Sequence, residues 1–426
     1  MIGLDTFDPL DLIAPAHYGD KGAPHDPWSA LRGQPLHKVS PPGFQPFWPV
    51  TRHADITKIS AQPEDFSNAA DSIVVWNDEQ MAKNDSGEPS PLRDMRTVIA
   101  MDPPEHRMFR KVASGFFTPR GIERLDEIVK ESARGVIDAL GTEGEADFVS
   151  QVAQRHPLRV LGTILGISAD LEDRLLELTQ QLLAGDDPDY QRETEDRSTV
   201  SAELGAEFYE MFNTIIEDRR ANPRDDLASM LANATLPDGE PLGLVETLGY
   251  YLIVFNAGHD TTRHSLAGAI GAFLEHPDQL EALTSGGPDI IDTAVEEVVR
   301  WTAPVNYMKR TALRDITLTD EEFGDVTIPE GDALVLFYNA ANRDERVFDD
   351  PYRFDITRSP NRHLGFGWAE HYCLGAHLAR ASIAALLSEM QQRVELLETA
   401  GDATYTASSF IFGYKTLPVR YRIQPA

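Results

Sequence analysis

Between Pro241 and Pro277 runs a proline-free stretch of about 35 residues, roughly 50 Å of helix if continuous. Its middle, Tyr250-Tyr-Leu-Ile-Val-Phe255, is apolar on every side, so the spacing predicts a helix that passes through the core. A rod of that length leaves a chain of 426 residues to wrap its other elements around it. Directly after the apolar run comes Ala257-Gly-His-Asp-Thr-Thr262, poor helix material built from glycine and short polar side chains. One expectation is an opened turn or π-type bulge there, a distortion found at functional sites. The other is plainer: Asp260 pairs with a basic residue and Thr261 bonds back to its own helix.

Downstream, His363-Leu-Gly-Phe-Gly-Trp-Ala-Glu-His-Tyr-Cys-Leu-Gly375 holds the only cysteine of the chain. A lone cysteine is commonly an inert small hydrophobe. Placed in a glycine-rich turn before an apolar helical pattern, its thiolate would instead sit near a helix N-terminus and be suited to bind metal. One cysteine forms no intrachain disulfide, which suits a reducing cytoplasm. Met1–Asp20 lacks the basic start and apolar run of a signal peptide, and no run approaches a membrane span.

The net charge of −31 disfavours nucleic acid and anionic membranes as partners. Two basic patches stand against that background: Arg107, Arg110, Lys111 and Arg120, and then Arg353, Arg358, Arg362 and Arg380 around Cys373. An acidic partner docking near the cysteine is the expectation. The remaining pattern predicts a mainly α chain with smaller β-sheets (α+β), 1–426 as a single domain. Asn77–Arg93 is polar, with Gly87, Pro89 and Pro91, and reads as a mobile loop, with 77–95 either a lid or an idle excursion. His106 and Arg110, four apart, share one helical face. Glu297 and Arg300 are at i,i+3, a spacing with almost no specificity by itself.

Four segments in order, Ala257-Gly-His-Asp-Thr261, Glu297-x-x-Arg300, Asn342-Arg-Asp to Phe354-Asp-x-x-Arg358, and Phe366-Gly-x-x-x-His-x-Cys373-x-Gly375, resemble the cytochrome P450 family. The likeness runs from about Pro46 to the end. In Arg300-Trp-Thr-Ala-Pro304, Ala341-Asn-Arg-Asp-Glu345 and Asn361–Trp368 it is most similar to soluble bacterial members, particularly the α-terpineol hydroxylase branch.

This resemblance implies haem b (iron protoporphyrin IX) between the long helix and the cysteine loop, with Cys373 the metal ligand and Ala257, Gly258, Phe366, Gly367 and Gly375 against the cofactor. His106, Arg110, Arg310 and His371 would hold the propionates. Asp260 and Thr261 match the acid–alcohol pair that delivers protons when O₂ is split. Glu297, Arg300 and Arg358 would form a buried structural ion pair network. Substrate-pocket residues by the same resemblance are Val75, Trp76, Val254, Val305, Asn306, Met308 and Ile411, with Tyr307 beside Asn306 as a second hydrogen-bonding candidate. The implied function is a monooxygenase inserting one oxygen atom into a C–H bond of a small hydrophobic substrate such as a monoterpenoid. Electrons would come from an acidic ferredoxin and its NAD(P)H-dependent reductase. Alternatives are a peroxygenase using hydrogen peroxide, a steroid, fatty-acid or aromatic hydroxylase, and a non-catalytic haem sensor. One departure stands out: Ala369 occupies a position where the family carries glycine, which matters if the turn demands a positive φ.

Overall fold

The computed structural model describes residues 7–86, 96–191, 197–236 and 239–425. Leu244–Glu275 forms one 32-residue helix, and most of its side chains are buried around its whole circumference. The all-round apolar sequence is thereby satisfied: Arg155–Leu165, Arg197–Ala221, Leu227–Ala232, Ile290–Thr302 and Ala376–Arg393 all pack on it. Asp226 caps the short helix Leu227–Ala232, its carboxylate accepting from Ser229 N at 2.7 Å.

The helix does not open at Ala257–Thr262, so the expected bulge is corrected. Thr261 Oγ1 donates to Ala257 O at 2.6 Å and Ser265 Oγ to Thr261 O at 3.0 Å, returning polar side chains to the helix's own carbonyls. Gly258 packs closely on the neighbouring helix: a Cβ there would lie 3.1 Å from Leu161 Cδ2. Among the described residues the widened helical turn falls elsewhere, at Val149–Ala153. A second correction concerns the polar stretch after Asn77. Asp78–Ser86 is helical, with Lys83 and Glu79 paired at 2.9 Å, while 87–95 of the expected lid lie outside the described residues.

Among the described residues, beta structure is minor and divided into four small sheets. A four-stranded sheet runs Phe47–Val50, Ala333–Phe337, Tyr307–Ala312, Phe66–Ser67; the first pair is parallel and the others antiparallel. Along Tyr307–Ala312 the side chains alternate, so Met308 and Arg310 face the site described below while Tyr307 and Lys309 face the opposite way. A three-stranded antiparallel sheet is formed by Glu143–Asp147, Pro418–Ile423 and Val394–Thr399 in that order. No described helix is long and apolar enough to cross a membrane.

Candidate active site

A cavity lies between the middle of the long helix and the cysteine loop, lined by Ala257, Gly258, Thr261, Phe366, Gly367, Cys373 and Gly375. The loop reaches this position through close backbone contacts. A Cβ on Gly365 would lie 2.7 Å from Val299 O, so only glycine lets the loop approach the helix Ile290–Thr302. Gly367 has φ +70°, and Cys373 N donates to Phe366 O at 2.8 Å, folding the loop back on itself. Ala369 has φ +57°, so the turn does require the left-handed conformation at that departure from glycine.

Cys373 opens its side chain onto the cavity. Burial pushes its thiol pKa up; the Gly375 amide, then Arg110 and Arg380, act against burial and favour the thiolate. Below the loop, Arg380 covers the Phe366 ring at 4.5 Å and binds Glu296 at 2.6 and 2.9 Å. His363 Nε2 reaches the same carboxylate at 2.9 Å. Against burial, hydrogen bonds from Arg380 and His363 bring the Glu296 carboxyl down to about 2. This Glu296–Arg380–His363 support was missed from sequence, where Glu296 carried no signal beside its neighbour Glu297.

At one end of the cavity His106, Arg110, Arg310 and His371 come together. His106 and Arg110 arrive from one face of the helix Glu105–Ser114. The two imidazoles lie 4.2 Å apart, and His106 Nδ1 and His371 Nε2 are buried without a hydrogen-bond partner among the described residues. Burial, reinforced by Arg310, holds His371 down at about 2, so it is a neutral ring. Arg110 donates to Tyr372 O at 2.6 Å and Arg310 to Lys309 O at 3.0 Å. Two guanidinium forks and two unpartnered imidazole nitrogens at one wall suit a doubly anionic group, and the residues therefore fit haem. When bound, haem supplies the redox activation of O₂.

Above the helix groove the wall is apolar: Val98, Ile99, Ile253, Val254, Val305 and Met308. Four expected wall residues are not part of it. Asn306, just ahead of the strand, is fully buried and donates to Tyr18 Oη at 2.9 Å and to Ser409 O at 3.0 Å, and Tyr307 in the strand faces the opposite way from Met308. Val75 is held in a separate core cluster, with its N–H on Tyr307 Oη, while Trp76 sits 5.2 Å from the buried Lys309 ammonium. Ile411 is drawn into a bridge with Val305 and buried behind it. Asn68 and Tyr338 do line the cavity and had no local sequence signal. Asp260 is also outside the lining, bound to Arg263.

The predicted ion-pair network is present. Glu297 and Arg300 are fully buried and joined at 2.7 and 2.8 Å. Arg358 reaches Glu297 at 3.2 Å, and Arg300 also donates to the carbonyls of Asn342, Pro351 and Arg353. Part of each basic patch is engaged within the chain. Arg107 is bound to Glu370, Arg380 to Glu296 and Arg358 to Glu297, and Arg110 points inward.

The Cytochrome P450 family model matches residues 289–420. Cytochrome P450-terp from Pseudomonas sp is 38% identical over 420 residues, covering 96% of each chain. Linalool 8-monooxygenase from Pseudomonas putida is 32% identical over 412 residues, 96% of this chain and 98% of that one. The crystal structure of CYP108D1 from Novosphingobium aromaticivorans superposes with a TM-score of 0.86 at 37% identity, covering 97% and 98% of the two chains. With a cysteine, a cation cluster and a buried helix groove around one cavity, and with likeness across nearly its full length, the chain belongs to the cytochrome P450 family and is a haem b monooxygenase.

Proposed function

We propose that this monooxygenase hydroxylates a small hydrophobic substrate of the monoterpenoid class, drawing electrons from a ferredoxin. The observation that carries the substrate class is the wall of Val98, Ile99, Ile253, Val254, Val305 and Met308 beside the Ala257–Thr261 groove. It offers no charged group to a substrate; the charged residues of the cavity gather at the His106–Arg310 end. Such a surface selects by shape and burial, at about 25 cal/mol per Å² of apolar area removed from water. The names of the relatives P450-terp and linalool 8-monooxygenase support the same class.

In this reading Cys373 would ligate the haem iron, and His106, Arg110, Arg310 and His371 would hold its propionates. Thr261 and Asp260 manage the proton supply, and the whole chain works as one domain in a reducing cytoplasm. Titration of the haem-loaded protein with α-terpineol and linalool tests the substrate class. A low-to-high-spin shift at micromolar ligand, followed by a single hydroxylated product, is expected. No spin shift with either, and a shift with a steroid or long-chain fatty acid instead, would remove the monoterpenoid reading. Product formation should need ferredoxin, reductase and O₂; equal rates with hydrogen peroxide alone would favour a peroxygenase.

A further inference from the structure

Phe366 lines the cavity beside Cys373 and accepts the Cys373 N–H at 2.8 Å. Its ring is enclosed by three polar side chains that the proposed reaction does not yet employ. The Arg380 guanidinium covers it at 4.5 Å, while the rings of His363 and Tyr372 flank it at 5.9 and 6.2 Å. Arg380 comes from the helix Ala376–Arg393, and the carboxylate that binds it, Glu296, comes from the helix Ile290–Thr302. Two helices and the cysteine loop therefore meet on one aromatic ring.

The hydrogen bonds fix where the charge sits. Arg380 donates through Nε and Nη2 to the two oxygens of Glu296 at 2.6 and 2.9 Å, and through Nη1 to Tyr372 Oη at 3.1 Å. Gly365 N donates to His363 Nδ1 at 3.2 Å, so the ring proton is on Nε2, which gives it to Glu296 at 2.9 Å. A planar guanidinium fork serves a carboxylate and a phenol together and still lies against the ring; an ammonium carries the charge without that geometry. Arg380, with Arg110, favours the anionic form of the Cys373 sulfur. One cation is thus pinned next to Phe366, and one carboxylate is bound to that cation.

We propose that Arg380 is a positioning residue for electron uptake: held on the face of Phe366 by Glu296 and Tyr372, its fixed cation sets how readily the Cys373-ligated haem accepts an electron. This rests on the reading of Cys373 as iron ligand given above. The electron comes from the ferredoxin, ferric iron becomes ferrous, and no covalent bond forms or breaks. The added charge is negative, so a cation near the sulfur favours the reduced form, and the carboxylate attached to that cation works against it. Glu296 and Arg380 therefore act with opposite sign.

Reduction potentials of the haem-loaded, substrate-free protein test this. Arg380→Gln is expected to shift the ferric–ferrous equilibrium about tenfold towards the ferric form, about 59 mV for a one-electron couple. Glu296→Gln should shift it the other way, and Arg380→Lys, which keeps the charge, should stay within about twofold of the parent. If Arg380→Gln fails to load haem, Glu296→Gln decides by its sign, since it retains the guanidinium. A merely structural role would lower stability or haem loading and leave the potential of the loaded fraction unmoved, which overturns the proposal. Shifts of the same sign in Arg380→Gln and Glu296→Gln, or a lysine variant that moves as far as the glutamine one, overturn it as well. The reduced, CO-bound spectrum separates the two levels. A thiolate-type red shift in the parent with unmoved potentials in the variants defeats only the part given to Arg380; its absence from the parent defeats the Cys373 reading itself.

Discussion

Ala369 carries its side chain at φ +57°, where a Cβ costs roughly 1–2 kcal/mol, whereas glycine costs about 0.4–1 kcal/mol through the freer unfolded chain. Strain should win, so Ala369→Gly is expected to gain up to about 1 kcal/mol in urea unfolding; a lower midpoint would mean the loop has absorbed the strain. Glu296 makes a pH prediction. Its carboxyl is brought from 4.5 to about 2 in the folded protein, so the unfolded chain binds the proton more readily. The stabilisation is present above pH 4.5 and is lost as pH falls towards 2. Glu296→Gln should therefore be less stable at pH 7 and show a flatter stability profile between those limits, read by urea titrations at each pH. At this scale the sequence was informative where a residue is unique or its spacing is fixed, as for Cys373, His106 and Arg110. It was uninformative where direction depends on distant partners. Nothing near Asn306 announces Tyr18 and Ser409, and Trp76 is held by a lysine more than two hundred positions away.

The helix Ile290–Thr302 is tied to the loops that follow it by one carboxylate and one guanidinium, both with no exposed surface. Removing either leaves the other charge buried without its partner, so Glu297→Gln or Arg300→Ala should cost about 3–5 kcal/mol of folding free energy. Arg300→Lys should not restore it, since one ammonium cannot serve Glu297 and three carbonyls together. Full stability of the lysine variant in denaturant titration would contradict this account. The long helix shows how far an element can be read from its own residues. Its existence and its passage through the core followed from apolar residues on all faces. Its continuity through Gly258-His-Asp-Thr261 did not, because propensity argued for a break while tertiary packing and back-bonded hydroxyls kept the turns closed.

Across the molecule, an overall charge of −31 is offset near the cysteine loop by fewer free cations than the sequence promises. Lys111 and Arg362 are exposed and form no ion pair among the described residues, while Arg107 is already matched by Glu370. Lys111→Ala and Arg362→Ala should each slow reduction by an acidic ferredoxin at low salt, the difference fading as the Debye length shrinks from about 30 Å at 0.01 M to about 8 Å at 0.15 M. Rates that do not respond to ionic strength would point to docking by the exposed Trp368, Tyr372 and Met108 instead. The parallel pairing of Phe47–Val50 with Ala333–Phe337 carries a further consequence, in time. The early strand has no neighbour on that edge until residue 337 has been made, which at 5–20 residues per second is a wait of roughly 15–60 s. Throughout that interval Phe47 and Val50, both destined to be fully buried, are open to chaperones and to other nascent chains. Completion of this sheet is accordingly a late event of synthesis, and yield in a host cell should respond to translation speed and chaperone supply.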